Sequence, residues 1–301
     1  MAVSIELGFM NSDQKIVDKA VKLSLVELVI GSTIHALHLP MGGQLLSLNQ
    51  GFMLTRFLRD SRGRIAAAKM VMEVSSVASL MKSLAPVGKK LGPMISISMQ
   101  GFLYMLGILA FGRSLLGQML GMILLSPWAF VQPFITYYII YGHDLAKAVD
   151  YFVSKNAAFI DIIAYVVLLK CIVAALIPVV IRFISEEKIQ KIEEKIETMS
   201  VPKKRSKASH SPFKGALLEL CRPMFLLSVG LMVTFFLVTG DSAIEILWKV
   251  MRAFAVAFAI FYLARNPFIH RQLSKMARKN QVVARLYQLS VDASKRIANL
   301  Q

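Results

Sequence analysis

The chain has 301 residues, 56% of them hydrophobic, with a mean hydropathy of +0.59. That is too apolar for an ordinary soluble domain, and apolar runs recur near the roughly 20 residues a helix needs to cross a bilayer. Lys and Arg number 35 against 18 acidic residues, a net +17. The basic residues cluster between and after apolar runs with no aromatic-interleaved basic module, which argues for anionic lipid at basic loops and against nucleic acid.

Spanning segments must satisfy their backbone internally, so the pattern predicts helices and not an alternating-period barrel. Eight apolar segments follow in chain order: 20–39, 43–58, 65–84, 92–112, 115–141, 158–184, 217–239 and 243–264. The first twenty residues carry Asp13 and Asp18 and no short apolar core, so a cleavable signal is not expected. The second segment is short and opens on Gly42-Gly43, as cavity-lining segments often do. The fifth is interrupted by Pro127 and Pro133, which predicts a kink.

Basic residues follow segments two (Arg56, Arg59, Arg62, Arg64), four (Arg113), six and eight. The intervening loops are poorer, so both termini are expected on the cytoplasmic side and the 143–157 and 240–243 loops outside. Between segments six and seven the composition breaks. Ile189, Ile192, Ile196 and Met199 give a short amphipathic helix, and "VPKKRSKASHSP" reads as a flexible basic linker. The expected fold class is thus all-α, a polytopic membrane bundle of six helices plus a C-terminal two-helix hairpin. Its units are 1–185, a charged linker 186–215, the hairpin 216–265, and a basic amphipathic tail 266–301 lying on the inner membrane face.

Candidate functional residues concentrate in "STIHALHLPMGGQLLSLNQG", Ser32 to Gly51. His35 and His38 share a helix face at i, i+3. They read as part of a metal site, as solute-binding donors, or as the polar end of segment one. No Cys, Asp or Glu follows nearby as a third ligand, so no metal is expected. Gly42-Gly43 after Pro40 is not a phosphate loop, because no Gly-Lys-Ser/Thr follows. Gln44, Asn49 and Gln50 are amides that need partners, either neighbouring helices or a ligand. Glu27, Glu73, Asp161 and Lys170 are ionisable residues within apolar segments, where charge is costly unless paired or used. Glu27 and Lys170 sit mid-segment and form a candidate intramembrane charge pair. Gly101, Gly107 and Gly112, with the GxxxG of Gly117 and Gly121, allow close helix approach. Gln100, Tyr104, Trp128 and Gln132 are candidate cavity residues. No Ser-His-Asp order, HExxH or Walker sequence stands out, so neither an enzyme nor a cofactor is expected.

The layout of the first six segments resembles the substrate-binding S component of energy-coupling factor transporters. It has six helices with both ends inside and a Pro-Gly loop after helix one ("LPMGGQ"). It also has a short second helix and a Gly-Pro entry to helix four ("LGPMIS") before glycine-rich helices. The resemblance covers about residues 15–185. It implies a small organic solute, often a vitamin or its precursor, bound near the outer side under the loop after helix one. The matching positions are His38, Gln44, Asn49, Gln100 and Gln132. It also implies separate ATPase subunits and a coupling membrane protein that contacts a small-residue face of helix one, for which Ser32 and Ala36 are the nearest match. Related metal uptake proteins use an extreme N-terminal histidine, where this chain reads "MAVSIELG". The cell (inner) membrane is the expected location. The alternative is a non-transporting scaffold or a membrane subunit of a lipid-modifying complex.

Overall fold

A computed structural model describes residues 12–36, 42–84, 91–156, 158–184, 187, 211–265 and 268–299. Every regular element among them is helical. In chain order they are α1 (Ser12–Ala36), α2 (Gly42–Phe57) with a 3-10 turn (Leu58–Asp60), α3 (Arg64–Leu84), α4 (Leu91–Phe111), α5 (Leu115–Leu125), α6 (Trp128–Tyr141), α7 (His143–Lys155) and α8 (Ala158–Phe183). After the charged stretch come α9 (Pro212–Leu220), α10 (Pro223–Thr239), α11 (Ala243–Arg265), α12 (Phe268–Lys279) and α13 (Gln281–Asn299).

All eight apolar segments contain helix, but fewer are suited to crossing a bilayer. Among the described residues four stretches are long and apolar enough: Gly92–Phe111, Leu115–Tyr141, Ile160–Phe183 and Ala243–Leu263. The bent pair α9–α10 makes a fifth if it counts as one span. The reasons lie in the excluded helices. Helix α1 carries Asp13, Lys15, Asp18, Lys19, Lys22 and Glu27. Helix α2 has 16 residues, about 24 Å at 1.5 Å per residue, against a hydrocarbon core of about 30 Å. Helix α3 carries Arg64, Lys69, Glu73 and Lys82.

Two apolar clusters organise the molecule. The larger joins α1, α2, α3, α4 and α5 with Ala174 of α8 and with Leu289 and Ala293 of α13. Helix α4 packs closely on both α5 and α3. A methyl group added at Gly107 would overlap the Gly121 backbone, and one at Gly101 would overlap Ser75. The glycines of both segments thus serve close approach, as their spacing suggests. The smaller cluster joins Ile140 and Tyr141 of α6 and Ala148 of α7 to α9, α10 and α11. The end of α6 therefore packs with the hairpin, so these clusters cut across the sequence-based boundary at 185.

Three further differences from the sequence expectation have physical causes. The 143–157 loop is mostly helix α7, whose apolar face packs Ala148 and Leu145 into the smaller cluster. Segment seven is broken at Cys221–Arg222, and the two helices bend by 48°. Pro223 opens α10 and holds Arg222 at ψ 138, outside the helical region. The basic tail is also packed on the bundle. Leu289 and Ala293 of α13 are buried in the larger cluster, with Leu286 and Ile297 packed beside them. Its charges meet acids on the helices beneath: Arg285 bonds Asp13 of α1 at 2.6 Å and Glu73 of α3 at 2.6 Å, and Arg296 pairs with Asp18. The amphipathic stretch at 189–199 and the basic linker to residue 210 lie outside the described residues.

Candidate functional site

The site is built on the break between α5 and α6. Helix α5 starts at Ser114, whose side chain accepts from the Gly117 N–H, and runs to Leu125. Pro127 then ends it, because its ring lacks an N–H and crowds the preceding turn. The break frees a carbonyl. The N–H of Phe130, which in a continuous helix would bond Ser126, instead bonds the Pro127 oxygen at 2.8 Å. Pro133, inside α6, frees a second carbonyl. It has no N–H to offer the oxygen of Ala129 four residues earlier.

Both carbonyls are satisfied from other helices. The Gln44 amide nitrogen of α2 donates to the Ala129 oxygen at 3.0 Å. The Lys170 ammonium, from the middle of α8, donates to the Ser126 oxygen at 2.6 Å and to the Ser47 hydroxyl at 2.9 Å. Its third bond goes to the Gln44 side-chain oxygen. The Phe130 ring centroid lies 5.0 Å from the same nitrogen, within cation–π range. Lys170 is 9% exposed and Ser126 fully buried. The three N–H donors of the ammonium are filled by three neutral oxygens, and among the described residues no carboxylate pairs with it. A buried positive charge is thereby solvated but not neutralised.

The predicted pairing of Glu27 with Lys170 is therefore corrected. Glu27 of α1 meets Lys82 of α3 at 3.5 Å. The packing dictates this: α1 lies against α3, whereas α8 lies against α5 and α2. The other charges read as intramembrane also resolve. Glu73 accepts from Arg285. Asp161 is exposed in the first turn of α8, where an acid suits the helix dipole.

Of the amides singled out in the sequence, Gln44 alone touches Lys170. Gln132 donates to the Gly92 oxygen at 2.8 Å and ties α6 to the start of α4. Gln100 is buried and donates to Ser96 within its own helix at 2.9 Å. Gln50 donates to the Ile97 oxygen at 2.8 Å. Asn49 has a buried amide nitrogen without a partner. Its place five residues after Gln44 puts it about 140° around α2 from that side chain, so the two do not share a face. His38 lies outside the described residues, and so do the side chains of Ser32, His35 and Ala36. Tyr104 and Thr55 share a buried hydrogen bond of 2.8 Å that links α4 to α2.

Ser47, Ser126 and Phe130 are the members that sequence reasoning missed. Ser126 left no mark in the sequence: Pro127 withdraws its N–H from the Ile123 oxygen four residues earlier, and the Ser126 oxygen is left over because the Phe130 N–H turns to Pro127.

No family model matches this chain, and comparison with curated proteins and with solved structures finds no match.

Proposed function

We propose that this chain is the solute-binding membrane component of an uptake system in the cell membrane. It would capture a small organic solute at the outer side and depend on separate ATPase subunits and a coupling membrane protein for energy. The observation that carries the reading is Lys170. It is a buried cation held at a broken helix by neutral groups alone, on the same helix pair as the Gln44 end of α2. Intramembrane charge of this kind ordinarily marks a solute or ion path, and broken spans supply such sites with free backbone groups. Residues 37–41, which lead from α1 to this end of α2, lie outside the described residues. In this reading both termini face the cytoplasm, which needs α1, α2 and α3 to cross the membrane together with the four longer apolar stretches and the α9–α10 pair.

The decisive experiment is purification in mild detergent followed by mass spectrometry of extracted small molecules, on the wild type and on Lys170→Met and Gln44→Leu. One enriched solute, lost in both variants, is the expected result. Losing one charge-assisted hydrogen bond should weaken binding by about 1.5–3 kcal/mol, roughly 10- to 150-fold. A wild type that carries no solute and supports no uptake leaves Lys170 as a brace. Its three filled donors favour that second reading, and the chain is then a non-transporting scaffold. Topology has its own check: a membrane-impermeant thiol reagent should label Ser242→Cys from outside and not Ser206→Cys.

A further inference from the structure

The second polar feature of the bundle lies away from Lys170, where the spans end. A cleft of about 190 Å³ opens between the C-terminal end of α2, the α4–α5 turn and the last turns of α8. Arg59, Arg113, Arg182 and Gln118 line it, and among the described residues no Asp or Glu does. These residues come from three separate parts of the chain. Arg59 is fixed by donating to the Ile181 oxygen at 2.6 Å. The turn that carries Arg113 is pinned by Gln118, which donates to the Arg113 oxygen at 2.8 Å, and by Gly112 at φ 68. The side chains of Arg113 and Arg182 have no acid partner among the described residues, although the molecule pairs Arg222, Arg252, Arg285 and Arg296 with acids elsewhere.

Arg113 and Arg182, without acid partners among the described residues, bring positive charge to one small cleft that an anion would offset. Guanidinium forks match phosphate oxygens in pairs, and a phosphate presents several acceptors to several arginines at once. The cleft sits where Gly92–Phe111 ends, Leu115–Tyr141 begins and Ile160–Phe183 ends. In a bilayer crossed by these stretches, phospholipid headgroups would lie at that level. We propose that the cleft binds a phosphate group through Arg59, Arg113 and Arg182, presented by an anionic phospholipid. This site is independent of the solute reading, since it shares no residue with the Lys170 network.

Native mass spectrometry of the full chain, released from micelles doped with phosphatidylglycerol or phosphatidylcholine, tests it, with a thermal-shift titration of inorganic phosphate run in parallel. The wild type should retain phosphatidylglycerol at least about tenfold over phosphatidylcholine. Arg113→Gln/Arg182→Gln should lose that preference. Arg113→Lys/Arg182→Lys, which keeps the charge and loses the fork, should lose most of it. Arg62→Gln/Arg64→Gln, exposed on the same stretch but outside the cleft, should keep it. A thermal shift with inorganic phosphate that the Gln pair abolishes, without any lipid preference, assigns the same cleft to free phosphate. The proposal is overturned if the Gln pair retains the lipid and the phosphate response as wild type does. It is equally overturned if the control pair loses as much, since binding is then a property of the whole basic face.

Discussion

Lys170 and Arg285 are both cations held between helices, and they are held in opposite ways. Arg285 reaches from α13 to two carboxylates, Asp13 and Glu73, at a half-exposed position. Lys170 reaches from α8 to an amide, a hydroxyl and a backbone carbonyl, at a buried one. The first arrangement cancels charge and clasps the end of the chain to its beginning. The second leaves a charge standing inside the bundle and spends it on a carbonyl that the α5–α6 break left over. The contrast separates a paired charge at the surface from an unpaired one inside the bundle.

The sharpest way to break the comparison is to remove each cation in turn. Lys170→Met strands the Ser126 oxygen and leaves Gln44 and Ser47 without their donor. It should cost about 2–3 kcal/mol, read as a clear fall in thermal midpoint in a fixed detergent. Arg285→Met removes a partly exposed pair and should cost at most about 1 kcal/mol. Equal losses would mean that the two sites do the same job.

A charge exchange tests the corrected partner of Glu27. Glu27→Lys sets a second cation against Lys82 and should cost about 2 kcal/mol, most of which Lys82→Glu should restore in the double variant. Exchange with Lys170 should restore nothing. A rescue by Lys170→Glu in place of Lys82→Glu would put the structure's helix packing in error.

The helix break permits a finer test. Pro133→Ala returns an N–H to the Ala129 oxygen and makes the Gln44 amide nitrogen redundant there. Gln44→Leu should then cost about 1 kcal/mol less in the Pro133→Ala background than in the wild type, a coupling readable from a double-mutant cycle on thermal stability. Strict additivity would show that Gln44 serves Lys170 and not the backbone.

These residues also show how far the sequence could be read. The kink at Pro127, the close approach at Gly107 and Gly121, and the buried role of Lys170 and Gln44 each follow from a local property of one residue type. A helix lacking an N–H must bend, a residue lacking a side chain permits contact, and a charge in apolar surroundings needs partners. Which partners is a question of helix neighbours, and adjacency leaves no mark in a single sequence. Glu27 was matched to Lys170 because both lie mid-segment, whereas the bundle sets α1 beside α3. Helix α13 looked like a membrane-surface tail because its period and charge fit one. The same period and charge fit a surface of Asp13, Asp18 and Glu73, acids spread over residues far earlier in the chain. Hydropathy weighs the apolar content of α1, α2 and α3 over their scattered charges, and those charges find partners on α3, α13 and the turn at Asp60.

The smallest effect belongs to the clasp at low pH. The hydrogen bond from Arg285 holds the Asp13 carboxyl below its usual value; burial opposes it, and the guanidinium charge adds a smaller lowering effect. A depressed carboxylate stabilises the folded state fully above its unfolded pKa, roughly 4. That contribution is lost as pH falls through the lower folded value. The clasp should therefore be intact at neutral pH and weaken only below about pH 4. Because the pair is partly exposed, the loss is at most about 1 kcal/mol and is screened by salt. Amide hydrogen exchange of α13 is the measurement suited to so local an effect. Its protection should be flat from pH 8 to about 5 after correction for intrinsic rates, and should fall below about 4. Asp13→Asn should show the reduced protection already at neutral pH, with no further acid step from this carboxyl. An α13 whose protection is unchanged by Asp13→Asn would be held by Leu289 and Ala293 alone, and the charges of the clasp would then be bystanders to its packing.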